Sequence, residues 1–199
     1  MKIVKNTEWG RLAKKAGITR ISSFCYDELD MISEQFLKII LSKSVIYAQD
    51  AGRKTLFPED VVEGVIVSGY SKIIMDWNHN VPRCKISEGK KIITRIRHYQ
   101  KQYDCFIVAK APFKDYVKKE IQVLKSEWDG HTRLDGWVKT TRISEEALTV
   151  LQFAFESFIV SLLIASVKAM VHAHRITLFP IDIRFIKQTL TRNCLKIAI

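Results

Sequence analysis

Two short strings hold the residues best equipped for chemistry, and each occurs twice. Thr-Arg-Ile-Ser fills positions 19–22 and again 141–144, and AGRKTLFPED at 51–60 is answered by AHRITLFPID at 173–182. Both pairs are offset by 122 positions, and residues 19–61 align with 141–183 without a gap, with 17 identities in 43 positions. The strings place arginines at 20, 53, 142 and 175, hydroxyls at Thr55 and Thr177, and carboxylates at Asp60 and Asp182. A guanidinium is a planar fork of donors suited to carboxylate or phosphate oxygens, whereas Lys54 offers a point charge. This is binding chemistry. The chain shows no nucleophile–base pair, no glycine-rich phosphate loop and no metal-ligand spacing. Asp27 and Glu28 are adjacent, so on a helix they do not face each other. The five histidines are scattered, and Cys25, Cys84, Cys105 and Cys194 form no C-x-x-C. Neither an enzyme, a cofactor nor a metal is expected, and the cysteines read as reduced and packed.

The elements that must carry these strings are helices. Between the blocks of each copy lies a stretch without Gly or Pro, Phe24 to Ala51 and Glu145 to Ala173. Apolar residues recur there at helical spacing: Phe36, Ile39, Ile40, Val45 and Ile46 in the first copy, and Leu148, Leu151, Phe155, Phe158 and Leu162 in the second. Each predicts a helix of about 28 residues, roughly 42 Å long. Pro58 and Pro180 fit the first turn of a following short helix, where a missing N–H costs little. Asp60 and Asp182 in that turn suit its dipole. Thr7 to Ala16 reads as a short helix closed by Gly17, with Phe113 to Leu124, just after Pro112, as its counterpart. The unit is short helix, loop, long helix, loop, short helix, used twice. One copy cannot cover its own apolar stripe; a second crossing it antiparallel can.

Composition narrows the partner. The 199 residues are 47% hydrophobic and 27% charged, enough for a real core. Lys and Arg number 32 against 21 Asp and Glu, a net charge of +11, which favours a polyanion: nucleic acid or an anionic membrane surface. The most apolar run, Ser157 to Val167, is shorter than the roughly 20 residues of a spanning helix. Met1 to Gly10 has no apolar run of the secretory kind.

The motifs resemble those of core histones. RLAKKAGITRIS (11–22), Tyr26 and AGRKTLFPEDVV (51–62) are similar to histone four. RIRHYQKQ (95–102), APF (111–113), RISEEALTVLQFAFESFIV (142–160) and AMVHAHRITLFPIDI (169–183) are similar to histone three, including its extra helix before the fold. The resemblance is to a fused histone doublet of the sort found in large DNA viruses. It implies an all-α chain of two histone folds paired as an antiparallel handshake pseudo-dimer. The expected domains are a histone-four-like fold at 1–68, a connector at 69–94 and a histone-three-like fold at 95–199.

In that arrangement Thr19–Ser22 should lie beside Arg175–Leu178, and Arg142–Ser144 beside Arg53–Leu56. Arg20 and Arg142 would enter an inward-facing minor groove, supported by Thr177 and Thr55. Arg53 with Asp60, and Arg175 with Asp182, would brace their loops; Arg175 also counts among the expected DNA contacts. Lys54 would meet phosphate. Arg11, Lys14 and Lys15, with Lys110 and Lys114, would flank the phosphate-facing helix N-termini. Arg97, Tyr99 and Lys101 match the extra helix that approaches DNA. His172, Leu178, Phe179 and Asp182 match the surface where two histone-three copies meet, so a second copy of the chain is an expected partner. Tyr47 matches an aromatic that docks the other histone pair, implying a separate doublet similar to the remaining core histones. There are departures. Glu63 replaces a second docking aromatic, Ile181 and His174 replace basic residues, and 126–140 lengthens the first loop of the second copy.

The expected function is nucleosome-like packaging, with binding and bending of duplex DNA irrespective of sequence. A histone-fold subunit of a transcription-regulatory complex is the alternative. Chromatin in a nucleus, viral factory or virion is the expected location, not the exterior.

Overall fold

The computed structural model describes residues 3–74, 106–129 and 142–195. In chain order the elements are α1 (Asn6–Lys15), β1 (Arg20–Ile21), α2 (Phe24–Asp50), β2 (Thr55–Leu56), α3 (Pro58–Val67), α4 (Ser71–Ile74), α5 (Lys110–Asp129), β3 (Arg142–Ile143), α6 (Glu145–His172), β4 (Thr177–Leu178) and α7 (Pro180–Leu195). The two long helices have 27 and 28 residues. Both are followed by a proline that opens the next helix, because its fixed φ suits that position.

The turn after each long helix has the same build. Gly52 (φ 67°) donates to Gln49 and Arg53 donates to Ala48; His174 (φ 53°) donates to Val171 and Arg175 donates to Met170. This pair of bonds satisfies carbonyls left open at a helix end and requires a left-handed residue. Glycine meets the requirement freely. His174 meets it against the steric preference of a residue with a Cβ.

The chain forms two compact units, and each draws elements from both copies of the repeat. Among the described residues, one unit holds α2 from Glu34, then β2, α3, α4, α5, β3 and α6 as far as Phe155. Its buried side chains include Phe36, Leu37, Ile40, Leu41, Leu56, Val61, Phe113, Val117, Leu148, Leu151 and Phe155. Phe113 packs on Phe155 at 5.5 Å between ring centroids, and Phe36 meets Tyr70 edge-on at 5.2 Å. Gly64 of α3 lets that helix approach α2 closely: a Cβ there would clash with Ser44 Oγ and stand 3.1 Å from the Ile40 carbonyl.

The other unit holds α1, β1, α2 as far as Ser33, then 106–108, α6 from Glu156, β4 and α7. Trp9, Leu12, Cys25, Leu29, Ile159, Leu163, Leu178 and Ile183 are buried there. The Trp9 indole donates to Asp30 at 3.0 Å. Buried Glu156 accepts the amides of Ile107 and Val108 at 2.8–3.0 Å, holding that segment to α6.

The structure departs from the expected elements in particular places. The helix expected at Phe113–Leu124 runs from Lys110 to Asp129, so the first four residues of the expected loop insertion are helical and Pro112 sits in the first turn. Glu127 there pairs with Lys38 of α2 at 2.9 Å. Ile39 and Ile46, expected in the apolar stripe, are 47% and 38% exposed; the buried line is Phe36, Leu37, Ile40, Leu41, Val45 and Ala48. The length argument against a membrane span also fails for α6, which is long and apolar enough to cross one by composition alone. Its burial supplies the physical reason for that composition, since a core helix must be apolar nearly all round. The rest of the connector beyond α4, and most of 126–140, lie outside the described residues.

Candidate nucleic-acid interface

Among the described residues each unit contains one pair of short parallel strands, and each pair joins the first copy to the second. In one unit β1 runs beside β4 with Arg20 opposite Thr177 and Ile21 opposite Leu178. The Ser22 amide extends this pairing by donating to the Leu178 carbonyl at 3.0 Å. In the other, β2 runs beside β3 with Thr55 opposite Arg142 and Leu56 opposite Ile143. The Arg142 amide donates to the Lys54 carbonyl at 3.3 Å, and that of Ser144 to the Leu56 carbonyl at 3.0 Å. The alternation of strand side chains sends Leu56 and Leu178 inward, both fully buried, and leaves Arg20 and Arg142 exposed.

Both arginines are without an ion pair among the described residues, as is exposed Lys54. The threonines stand opposite the arginines, but no side-chain hydrogen bond joins Arg20 to Thr177 or Arg142 to Thr55 among the described residues. The juxtaposition gives each loop pair an exposed guanidinium and a hydroxyl, with Lys54 adding a cation at the β2–β3 pair where Ile176 stands at the other, and such groups can bind phosphate or a groove of negative potential.

Arg53 and Arg175 are held differently. The Arg175 guanidinium donates to Asp182 Oδ1 at 2.6 Å, and the second oxygen of that carboxylate accepts the Phe179 amide at 3.0 Å. Arg53 donates to Asp60 Oδ1, and Asp60 Oδ2 accepts the Phe57 amide at 2.8 Å. The carboxylates are 3–4% exposed and the guanidiniums about a third exposed. Each arginine also lies over an aromatic ring, Arg53 on Phe57 at 5.1 Å and Arg175 on Phe179 at 5.3 Å. The four-residue spacing of Arg and Phe in both copies carries a signal for this stacking, which the Arg–Asp reading of the same string passes over. With both carboxylate oxygens engaged, the braces fix loop geometry, and Asp182 is turned into its own unit.

The remaining expected contacts divide. Arg11 is exposed, while Lys14 and Lys15 are half-buried. Lys110 binds Glu145 at 2.7 Å and Lys114 binds the same carboxylate. Arg97, Tyr99 and Lys101 lie outside the described residues. Tyr47 is half-buried, with Ile46, Phe57, Ile66 and Val67 exposed in the same unit. His172 is exposed, and Val171, Ile176, Phe179, Ile181 and Phe185 of its unit are 40–69% exposed, whereas Leu178 is fully buried. Sequence patterning also gave no sign of the ion pair from Arg184 of α7 to buried Glu28 of α2, at 2.7 Å, since its partners are 156 residues apart.

Cys25, beside the β1–β4 pair, places its sulfur 3.3 Å from the Leu178 carbonyl. Burial pushes its thiol up to about 11, with Asp182 and Glu28 adding to the shift and a backbone hydrogen bond at Ser22 opposing it. It is a packed thiol whose burial disfavours the nucleophilic thiolate.

Residues 88–188, more than half of the chain, match the family of the core histone domain, the one shared by all four core histones. The chain belongs to the core histone family. It is 34% identical over 128 residues to a histone H3-like centromeric protein of Caenorhabditis briggsae, a match covering 63% of this chain and 32% of that protein. It is 42% identical over 52 residues to the major histone H4 of Tetrahymena pyriformis, covering 26% of this chain and 50% of the relative. The chain thus spans half or less of the length of these curated relatives. Among solved structures, the histone from Methanopyrus kandleri matches with a TM-score of 0.56 at 12% identity, covering 90% of each chain. That likeness shows the histone fold.

Proposed function

We propose that this chain is a fused histone doublet, histone-four-like and then histone-three-like, that binds and bends duplex DNA without sequence preference. In it the two copies form an antiparallel handshake within one chain. The observation that carries this is the strand pairing between copies, which sets Arg20 against Thr177 and Arg142 against Thr55. Two further facts support it. The chain resembles both an H3-like protein and histone H4, and a single histone chain matches 90% of its length, which takes in both copies. Fusion raises the effective concentration of one fold around the other, so the pairing needs no encounter in solution. The packaging role needs no catalysis and no cofactor.

The same reading extends to assembly. A second copy of the chain would dock at His172 and Phe179, where Val171, Ile176, Ile181 and Phe185 give the apolar area that a stable contact requires. A separate doublet similar to the other two core histones would dock near Tyr47. The resulting particle would sit on chromatin in a nucleus, or in a viral factory or virion if a virus encodes it. A second reading, a subunit of a transcription-regulatory complex, draws support from the engagement of Lys110 and Lys114 by Glu145, which removes cations from the proposed DNA face.

Replacing both Arg20 and Arg142 with alanine tests the DNA contact. Similar weakening on unrelated duplexes is expected, with a shallower dependence on salt, by about one unit of slope for each phosphate released. Weakening confined to one DNA sequence would overturn the non-specific reading. A His172→Ala or Phe179→Ala chain with an unchanged association state by light scattering would overturn the self-docking surface.

A further inference from the structure

Lys110 and Lys114 lie one turn apart in the first turns of α5, and its first turn contains no acidic residue. The positive end of a helix dipole disfavours cations, so two lysines there call for a nearby anion. The anion present belongs to the chain: Glu145, the first residue of α6, gives one carboxylate oxygen to Lys110 at 2.7 Å and the other to Lys114. All three residues belong to the unit that carries Arg142 and Lys54.

Glu145 is not needed as the helix cap. Ser144 already serves there, its hydroxyl accepting the Ala147 amide at 3.1 Å, and Glu146 also supplies negative charge in the first turn. Nor does burial hold it, because its side chain is 56% exposed. At the matching register, 122 positions earlier, the first copy has Ser23, which carries no charge. The carboxylate is therefore a feature of the second copy alone. It chelates two ammonium groups as a phosphate would, from an exposed position that a DNA backbone could reach.

Resting on the DNA-binding reading above, we propose that Glu145 is an internal phosphate mimic that occupies the Lys110–Lys114 site and sets the affinity of this part of the surface for DNA. Hydrogen bonds from Lys110 and then Lys114 hold its carboxyl down at about 2, so it is charged at every pH at which the protein would meet DNA. DNA must displace the carboxylate to use the two lysines, or leave them unused and pass close to a negative group. In either case this segment of duplex is held more loosely than its cations alone would hold it, and it is the segment that opens first as salt rises.

The test is anisotropy of a labelled random-sequence duplex titrated with the full chain, across a range of salt. Glu145→Gln keeps the shape and removes the charge. It should bind about threefold to tenfold more tightly, the scale of one or two exposed ion pairs, with a salt slope steeper by about one to two units. Lys110→Gln with Lys114→Gln should change little in the unsubstituted chain and abolish the gain in the Glu145→Gln chain. That dependence would not arise if Glu145 served only to join α5 to α6. Equal affinity of Glu145→Gln and the parent, with melting showing both folded, would overturn the proposal while leaving DNA binding intact. Equal weakening by the lysine substitutions in both backgrounds would do the same. Absence of any duplex binding by the parent chain would instead sink the DNA reading, and this proposal with it.

Discussion

Replacing Asp60 with asparagine should destabilise the fold although it alters no volume. Asp60 is 3% exposed, and its two oxygens serve the Arg53 guanidinium and the Phe57 amide. Asparagine keeps one carbonyl oxygen, which can still accept from Phe57. Its other group is an NH2, which then faces the donors of Arg53. The loss is one charge-assisted hydrogen bond, about 1.5–3 kcal/mol, together with a partly buried cation left facing a donor. Arg53 is 35% exposed, and solvent screening lowers the second contribution, so a total of about 2–3 kcal/mol is expected. Urea denaturation followed by far-ultraviolet circular dichroism measures it as a fall in midpoint at unchanged slope. A double-mutant cycle with Arg53→Gln should show that the two losses do not add, because either substitution breaks the same bond. A loss below about 0.5 kcal/mol would refute the reasoning, since that is the scale of a solvated surface pair.

Local geometry dictates four further outcomes. Gly64→Ala drives a methyl against Ser44 Oγ and the Ile40 carbonyl, and should cost about 1–3 kcal/mol in the same denaturation assay, partly rescued by Ser44→Gly. His174→Gly should stabilise by up to about 1 kcal/mol, and Gly52→Ala should destabilise by about as much, because both turns demand a positive φ and no atom lies within 4 Å of a Cβ at Gly52. Cys25 should react with a thiol reagent in the folded chain far more slowly than in urea; comparable rates would show that the β1–β4 end opens readily.

The loop pairs were legible because duplication wrote them twice. A single Arg-Ile-Ser or Thr-Leu-Phe-Pro string carries little weight, but two at one offset fix both the helix between them and the loop ends. The register Arg20–Thr177 then appears in the structure where the resemblance to core histones implies it. The Arg–Asp braces were legible through the same resemblance, with their ring stacking available from the Arg53–Phe57 spacing. The length of α5 was legible in principle, since no Gly or Pro interrupts the chain from Phe113 until Gly130, but the length of its shorter counterpart obscured it. Ile39 and Ile46 were misplaced because α2 is apolar on more than one face, and periodicity cannot say which face another element covers. The grip of Glu145 on two lysines, and that of Glu28 on Arg184, depend on tertiary approach, across 31 positions for Lys114 and 156 for Arg184, which no local pattern records.

The central claim is that this chain organises duplex DNA by wrapping it rather than by recognising its bases. Nuclease digestion of complexes reconstituted on unrelated long duplexes, with and without a doublet similar to the other core histones, tests it most directly. Discrete protected fragments, of about 100 base pairs or more with the second doublet present, are the predicted result, on the scale of the roughly 146 wrapped by a histone octamer. Digestion to a smear without protected lengths, or protection confined to one sequence, would contradict it.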